Sequence, residues 1–143
     1  MPETWPAHLL PRPFSHAAWW WERVREERLY VQGCRACGAR QLYPRGHCVR
    51  CWSAELEEVP ATGRGRLHSH TITRRHGEPA LGETYVYALV DLDEGPRLTT
   101  MLVDVDPDRV EPGMPVRVAF REVAPDVTLP MFAPAADAPE RAS

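Results

Sequence analysis

The chain contains no lysine; all 17 of its basic residues are arginine. That absence excludes Schiff-base chemistry and every phosphate-binding loop that depends on a lysine ammonium. Long apolar runs are missing too. The longest, residues 85–90, falls far short of the roughly 20 residues that a membrane-spanning helix needs, so no segment is expected to cross a bilayer. The start, Met1-Pro2-Glu3-Thr4-Trp5, has neither the basic residues nor the apolar stretch of a secretory signal, and a cytoplasmic protein is the expectation. No Gly-x-Ser-x-Gly elbow occurs. Gly63-Arg64-Gly65 lacks the third glycine and the helix of a dinucleotide loop. Small residues there suit close backbone approach where a strand begins.

What is present is uneven. Proline, at 15 of 143 residues, is about twice its usual ~5%, which argues against a helical bundle and for short strands, turns and extended arms. The net charge of −3 conceals a polarity. Residues 1–52 carry 8 Arg against 4 acids, residues 53–80 carry 4 against 4, and residues 81–143 carry 5 against 12. The middle of the chain could hold an anion, since arginine's planar fork bonds two phosphate oxygens at once; a solvated surface is the alternative.

The pattern divides the chain into an arm and helix over 1–32, a cysteine segment over 33–59, a β-rich part over 60–133 and a flexible Ala/Pro/acid tail over 134–143. Ser15 is placed to cap a helix running to about Glu27, with Phe14, Ala18, Trp21 and Val24 as its buried stripe. Trp19, Trp20 and Trp21 span roughly 200° of helix surface, more than one stripe can bury. The extra indoles, Trp19 and Trp20, either pack under the proline arm or face a partner chain, where Trp is a favoured anchor. Residues 29–31 read as a short strand. Alternation then marks strands over 64–75, 84–91, 98–104, 116–122 and 127–132, with turn residues between them. Five short strands joined by turns suggest a small barrel, so the fold class is mainly β.

The cysteines carry the chemistry. Cys34-Arg35-Ala36-Cys37 and Cys48-Val49-Arg50-Cys51 form two pairs with ten residues between them. Two such knuckles can aim four sulfurs at one tetrahedral zinc, and Gly33 and Gly38 flank the first knuckle, suiting positive φ. Four thiolates leave no open coordination position, so the zinc is structural. A segment this small cannot hold itself by apolar burial, and bound zinc supplies what its core lacks. His47 sits beside Cys48 and is not expected to ligate.

The run from Trp21 to Leu29, the two knuckles with Tyr43-Pro44-Arg45 between them, Gly63-Arg64-Gly65-Arg66-Leu67-His68-Ser69-His70-Thr71, the stretch 88–97, Pro112-Gly113-Met114-Pro115-Val116-Arg117-Val118 and Leu129-Pro130-Met131-Phe132 resemble, in order, the zinc-ribbon/OB-fold family first catalogued as domain of unknown function 35. The resemblance covers nearly all of residues 15–133. This chain departs from the family pattern in Trp52, where glycine is common, and in its triple tryptophan. The resemblance implies an N-terminal helical arm, a rubredoxin-like four-cysteine zinc ribbon and a five-stranded OB-fold barrel. It further implies an accessory subunit, without chemistry of its own, of a thiolase-fold enzyme: a lipid-transfer-protein-type aldolase or a thiolase acting on acyl-CoA thioesters, with steroid side-chain degradation among the family's roles. The ribbon and barrel would shape a channel for the CoA pantetheine. A subunit of an acyl-CoA acyltransferase or hydratase complex is the alternative.

No independent catalytic set is legible. The four cysteines are committed to metal. His68 and His70, two apart on a strand, are expected to share a face as a base, an anion contact or part of a half-exposed surface; Asp104 and Asp106 read as turn acids. Within the implied acyl-CoA role, Arg45, Arg64, Arg66, Arg74 and Arg75 are the candidates for holding CoA phosphates. Alternation puts Arg64 and Arg66 on one face, joined by Arg74 if no bulge intervenes, with Arg75 opposite. A rival reading, single-stranded nucleic-acid binding with Tyr85 and Tyr87 as stacking platforms, has little support, because that half of the chain is acidic. The cysteine pattern predicts one zinc per chain, retained through purification. Elemental analysis of the native protein checks this, and oxidised cysteine pairs with no metal would contradict it.

Overall fold

A computed structural model describes residues 4–13, 15–74 and 76–135. Phe14 and Arg75, and residues 136–143 of the expected tail, lie outside the described residues. One helix, α1 (Ala18–Arg25), precedes a three-stranded antiparallel sheet of β1 (Tyr30–Cys34), β2 (Arg40–Gln41) and β3 (Leu56–Pro60) in the order β2-β1-β3. The chain then forms β4 (Arg64–Thr73), β5 (Tyr85–Leu92), β6 (Arg97–Leu102), β7 (Pro115–Ala124) and β8 (Val127–Pro134), closed as a barrel in the order β4-β5-β6-β8-β7. Every barrel pairing is antiparallel except β6 with β8, which meet in parallel at Leu102 and Phe132. All five barrel strands lie where alternation placed them. The ribbon strands β2 and β3 have no alternating signature and come from their pairing with β1. No helix among the described residues is long and apolar enough to cross a membrane.

The helix differs from expectation. It begins at Ala18, capped by Ala17 without a side-chain hydrogen bond, and Ser15 lies in the preceding turn. Glu27, at φ 62°, turns the chain away beyond its end. Ala18 is exposed; the buried pair is Trp20 and Val24, at 1% and 0% exposure and one turn apart. Trp20 therefore does not face a partner. Its ring joins a core shared with Leu29, Val31 and Leu98, and its Nε1–H donates to Tyr30 O at 2.8 Å. Trp21 packs edge-on against Trp20 at 4.9 Å and half-buried Trp19 packs edge-on against Tyr30 at 6.3 Å. Three consecutive indoles are accommodated because α1 touches both the ribbon and the barrel rather than lying on one surface.

Inside the barrel, Val86, Ala88, Val90 and Leu92 of β5 face Leu98, Thr100 and Leu102 of β6. Gly65 and Leu67 face the same interior. Between Leu67 and Ser69 the register with β5 slips by one residue, a β-bulge. Because side chains alternate with period two, the extra residue reverses every face that follows it. His70 pairs with the inward Ala88, whereas His68 stands outside, so the two histidines do not share a face. By the same reversal Arg74 is out of phase with Arg64 and Arg66.

The barrel is also apolar on part of its outside. Met101, Val103, Leu129 and Met131 form a second cluster with Val123, covered by Trp5, Leu9 and Leu10 of the arm and by Leu81. Trp5 N donates to Val123 O at 2.7 Å and pins the arm to β7.

Where β4 begins, a Cβ on Gly65 would stand 2.5 Å from the backbone oxygen of Asp91, while one on Gly77 would meet nothing within 4 Å. Replacing Gly65 with Ala is expected to cost about 1–3 kcal/mol in denaturant titration, and Gly77→Ala is expected to fall within about 0.5 kcal/mol of the parent.

Candidate functional site

The two knuckles are built alike. In the first, Cys34 N donates to Ala39 O and Gly38 N to Cys34 O; in the second, Cys48 N donates to Ser53 O and Trp52 N to Cys48 O, at 2.8–3.0 Å. The residue after each second cysteine is left-handed: Gly38 at φ 79° and Trp52 at φ 67°. Gly33, by contrast, is not left-handed. It lies within β1, where a Cβ would come 2.8 Å from Val59 Cγ2 and only glycine fits.

Paired in this way, the turns bring the sulfurs of Cys34, Cys37, Cys48 and Cys51 within 4.8 Å of one another. The Cys34–Cys51 and Cys37–Cys48 separations are both 3.6 Å. A tetrahedron with metal–sulfur bonds of about 2.3 Å has edges of about 3.8 Å, so the four sulfurs fit a closed tetrahedral ion. No disulfide competes: all four cysteines are free. The N–H groups of Cys51 and Arg50 hold the Cys48 thiol down at about 6. At Cys51, the Ser53 N–H pulls the other way, but burial and the three neighbouring sulfurs outweigh it and push that thiol up to about 12. His47 is not a ligand; its ring lies 5.2 Å from that of Trp52.

Two buried glutamines, not singled out by the sequence pattern, fix the loop that carries the second knuckle. Gln32 accepts from Arg45 N and donates to Arg45 O, both at 2.9 Å. Gln41 donates to Gln32 Oε1 at 2.8 Å and to His47 O at 3.2 Å, and accepts from Val49 N at 2.9 Å. Their spacing has no motif; only the β1–β2 register, which sets Gln32 opposite Gln41, reveals the pair. Beyond the loop, Tyr43 OH accepts from Thr99 N at 2.7 Å and ties ribbon to barrel.

The ribbon ends in an exposed apolar tip. Trp52 is 74% exposed and Val49 56%. A bulky left-handed residue is strained by roughly 1–2 kcal/mol, so this indole occupies a position where local energetics favour glycine.

The candidate arginines do not form one cluster. Arg64 and Arg66 face outward together, and Arg66 Nη1 donates to Gly113 O at 3.0 Å. Exposed Arg45 is on the ribbon loop, and exposed Arg74 lies past the end of β4 with Nη2 3.7 Å from Asp108 Oδ1. Strand register supplies two neighbours that spacing could not show. Arg117 of β7 lies opposite Arg64, while Asp91 lies opposite Arg66 on one side and Arg97 on the other. His68 Nδ1 is 3.3 Å from Asp91 Oδ2. Arg97 Nε donates to Asp91 Oδ1 at 2.6 Å and keeps that carboxyl below its usual range. The outcome is a stripe across β7, β4, β5 and β6 rich in guanidinium groups. Asp106 accepts from Asp108 N, the turn role expected of it, whereas the Asp104 side chain pairs with Arg121 of β7.

Residues 21–57 match the family model described as the rubredoxin-like zinc ribbon domain of ChsH2, and residues 58–121 that of the ChsH2 C-terminal OB-fold domain. The chain is 40% identical over 132 residues to a Thermomonospora curvata protein named "Probable enoyl-CoA hydratase alpha subunit", covering 91% of this chain but 41% of that relative. It is 35% identical over 75 residues to benzoylsuccinyl-CoA thiolase subunit BbsA of Geobacter metallireducens, covering 51% of this chain and 50% of the relative. The chain thus spans half or less of the length of these relatives. Among solved structures, a chain of the Ltp2-ChsH2(DUF35) aldolase is similar with a TM-score of 0.83 and 39% identity, covering 88% of this chain and 99% of that one.

Substituting Gln41 with Leu leaves buried amide partners unpaired. The ribbon is expected to lose about 1–3 kcal/mol and to release its metal to a chromophoric chelator faster than the parent does.

Proposed function

Since the chain belongs to the DUF35 family of joined zinc-ribbon and OB-fold domains, we propose that it is a non-catalytic accessory subunit of a thiolase-fold partner, a lipid-transfer-protein-type aldolase or a thiolase, and that it helps this partner bind acyl-CoA thioesters in the cytoplasm. The observation that supports this most is that the module stays while the chemistry changes. Similar proteins carry the names of a hydratase, a thiolase and an aldolase, and each is called a subunit or a two-part assembly. A part held in common by three chemistries binds and positions; the reacting groups belong elsewhere. The residues agree: the four thiols converge on one closed site. The acyl groups we assign are bulky ones, with steroid side chains as the case implied by the family resemblance. A hydratase complex is the second reading, favoured by the name of the Thermomonospora curvata relative.

Cys34, Cys37, Cys48 and Cys51 would hold one zinc ion, which when bound cross-links the two knuckles and contributes folding energy on the order of 10 kcal/mol. The exposed tip, Val49 and Trp52, and half-buried Trp19 supply apolar surface for the partner. We assign the CoA phosphates to the outward stripe, with Arg64 and Arg66 at its centre and Arg97 and Arg117 beside them; Arg45 on the ribbon loop is kept as a further candidate. Arg74 is out of phase with the stripe. Tyr85 and Tyr87 face an apolar groove rather than a basic one, which gives the nucleic-acid reading no support.

Co-expression with a thiolase-fold chain encoded beside it should give a hetero-oligomer in size-exclusion chromatography with light scattering. In that complex, Arg64→Ala with Arg66→Ala should weaken acyl-CoA binding by about tenfold or more, the scale of one or two charge-assisted hydrogen bonds. Unchanged affinity would remove the phosphate assignment, and a monomer under all conditions would remove the partner.

A further inference from the structure

The outward stripe of arginines contains one acid. Asp91 of β5 lies between Arg66 of β4 and Arg97 of β6 in strand register, and by charge alone it opposes an anion there. Its contacts give it another role. Oδ1 accepts from Arg97 Nε at 2.6 Å, and Oδ2 lies 3.3 Å from His68 Nδ1. The β-bulge supplies this second contact, because it leaves His68 on the outer face beside Asp91. Both carboxylate oxygens are thus engaged. Arg66, directly opposite Asp91, turns instead to a neutral acceptor, its Nη1 donating to Gly113 O at 3.0 Å.

The atom by which Arg97 is held matters as much as the pairing. The bond runs through Nε, and Nη1 and Nη2 have no partner among the described residues. A guanidinium is a rigid planar fork with five donors. A carboxylate on Nε therefore fixes the plane and leaves the Nη1–Nη2 edge for a second ligand. Arg23, Arg28, Arg74 and Arg121 differ, each committing Nη2 to its acid. Arg35 is also held through Nε, by Glu57, but on the first knuckle and outside the stripe.

We propose that Asp91 is a positioning residue for phosphate binding: it holds the Arg97 fork, is kept off Arg66 by His68, and so leaves two guanidinium groups for one anion. Adjacent strands lie about 4.8 Å apart, which puts the Cα atoms of Arg66 and Arg97 roughly 10 Å apart, within the joint span of two arginine side chains on one phosphate group. The inference rests on the assignment of CoA phosphates to this stripe and gives a role to the one carboxylate within it. The competing role is dilution of the stripe's charge. A carboxylate roughly 6 Å from a bound phosphate weakens its binding about threefold per unit charge in water. Neutralising Asp91 then tightens binding if the acid only dilutes charge, and weakens it if the acid works through Arg97. The two roles differ in sign.

The test uses the zinc-loaded full chain without a partner, at constant pH and low ionic strength, with inorganic pyrophosphate as the probe. Binding and the arginine Nε–H resonances are followed together in ¹H–¹⁵N correlation spectra. Asp91→Asn should weaken binding about threefold and remove the hydrogen-bonded Arg97 Nε–H resonance. Arg97→Ala should weaken binding about tenfold, the scale of a lost charge-assisted hydrogen bond. In the Arg97→Ala background, Asp91→Asn should tighten binding, since only repulsion is left to remove; a residue that merely stabilised the barrel would show no such reversal. Asp91→Asn binding as tightly as the parent or more tightly overturns the proposal. Continued weakening in the Arg97→Ala background overturns it as well, and so does a parent chain that does not bind the probe. If Asp91→Asn does not fold, Arg97→Lys decides: it keeps the charge without the fork, and parent-like affinity overturns the proposal. Arg64→Ala with Arg66→Ala separates this role from the assignment beneath it. If that double variant binds as the parent does, the phosphate assignment fails and the role of Asp91 with it. If it loses binding while Asp91→Asn does not, only the role of Asp91 fails.

Discussion

Four sulfurs gathered within 4.8 Å of one another make a closed set of ligands for a metal ion, and the ribbon and the elements packed on it are arranged around that cluster. The ribbon has little core of its own. Its three strands are short, and two of its apolar side chains, Val49 and Trp52, point to solvent. What holds the second knuckle in place is a pair of amides on Gln32 and Gln41, which supply hydrogen bonds where a larger domain would use packing. Residues behind the metal then become platforms for other elements: Val31 and Leu29 join the barrel's core, and Tyr30 provides the carbonyl that Trp20 reaches.

The barrel is built to be covered on both sides. Its interior closes in the usual manner of alternating strands, but β6 and β8 also carry Met101, Val103, Leu129 and Met131 on the outside. A sheet with two apolar faces cannot stand alone in water. The arm supplies the missing layer with Trp5, Leu9 and Leu10; it is not extended throughout as the sequence suggested, because Ala7–Leu9 form one 3-10 turn between extended Pro6 and Leu10. The outer face of β5 and β6 turns polar toward its other end, where Asp91 and Arg97 continue a stripe with Arg64, Arg66 and Arg117. One face of a small barrel thereby carries an aromatic groove that borders a cationic stripe.

The cysteine cluster and the five barrel strands were legible because each rests on a local pattern, a fixed cysteine spacing or a two-residue alternation. The features that escaped depend on register. One extra residue at His68 separates His68 from His70 and Arg74 from Arg64, and no composition reports a bulge. Arg117 stands 53 positions from Arg64 in the chain yet opposite it across β4 and β7. Gln32 and Gln41 are ordinary polar residues until a strand pairing buries both. The tryptophans were misjudged for a related reason. A single buried stripe is the right expectation for a helix on a flat surface, but α1 sits in a corner, and corners bury Trp20 where Trp21 was expected.

The hydrogen bond from Trp5 N to Val123 O also sets an order of assembly. Residues 4–13 leave the ribosome ahead of the ribbon and the barrel, yet they can dock only after β7 and β8 have been made. The knuckles are local in sequence and can take up metal while the sheet face beneath the arm does not yet exist; contacts of long sequence separation form late. The groove is therefore the last part of the molecule to be completed. Held by an arm at the surface, it is also among the first regions expected to open in the native state. Amide exchange at Trp5 is the measurement that separates such opening of the arm from unfolding of the barrel.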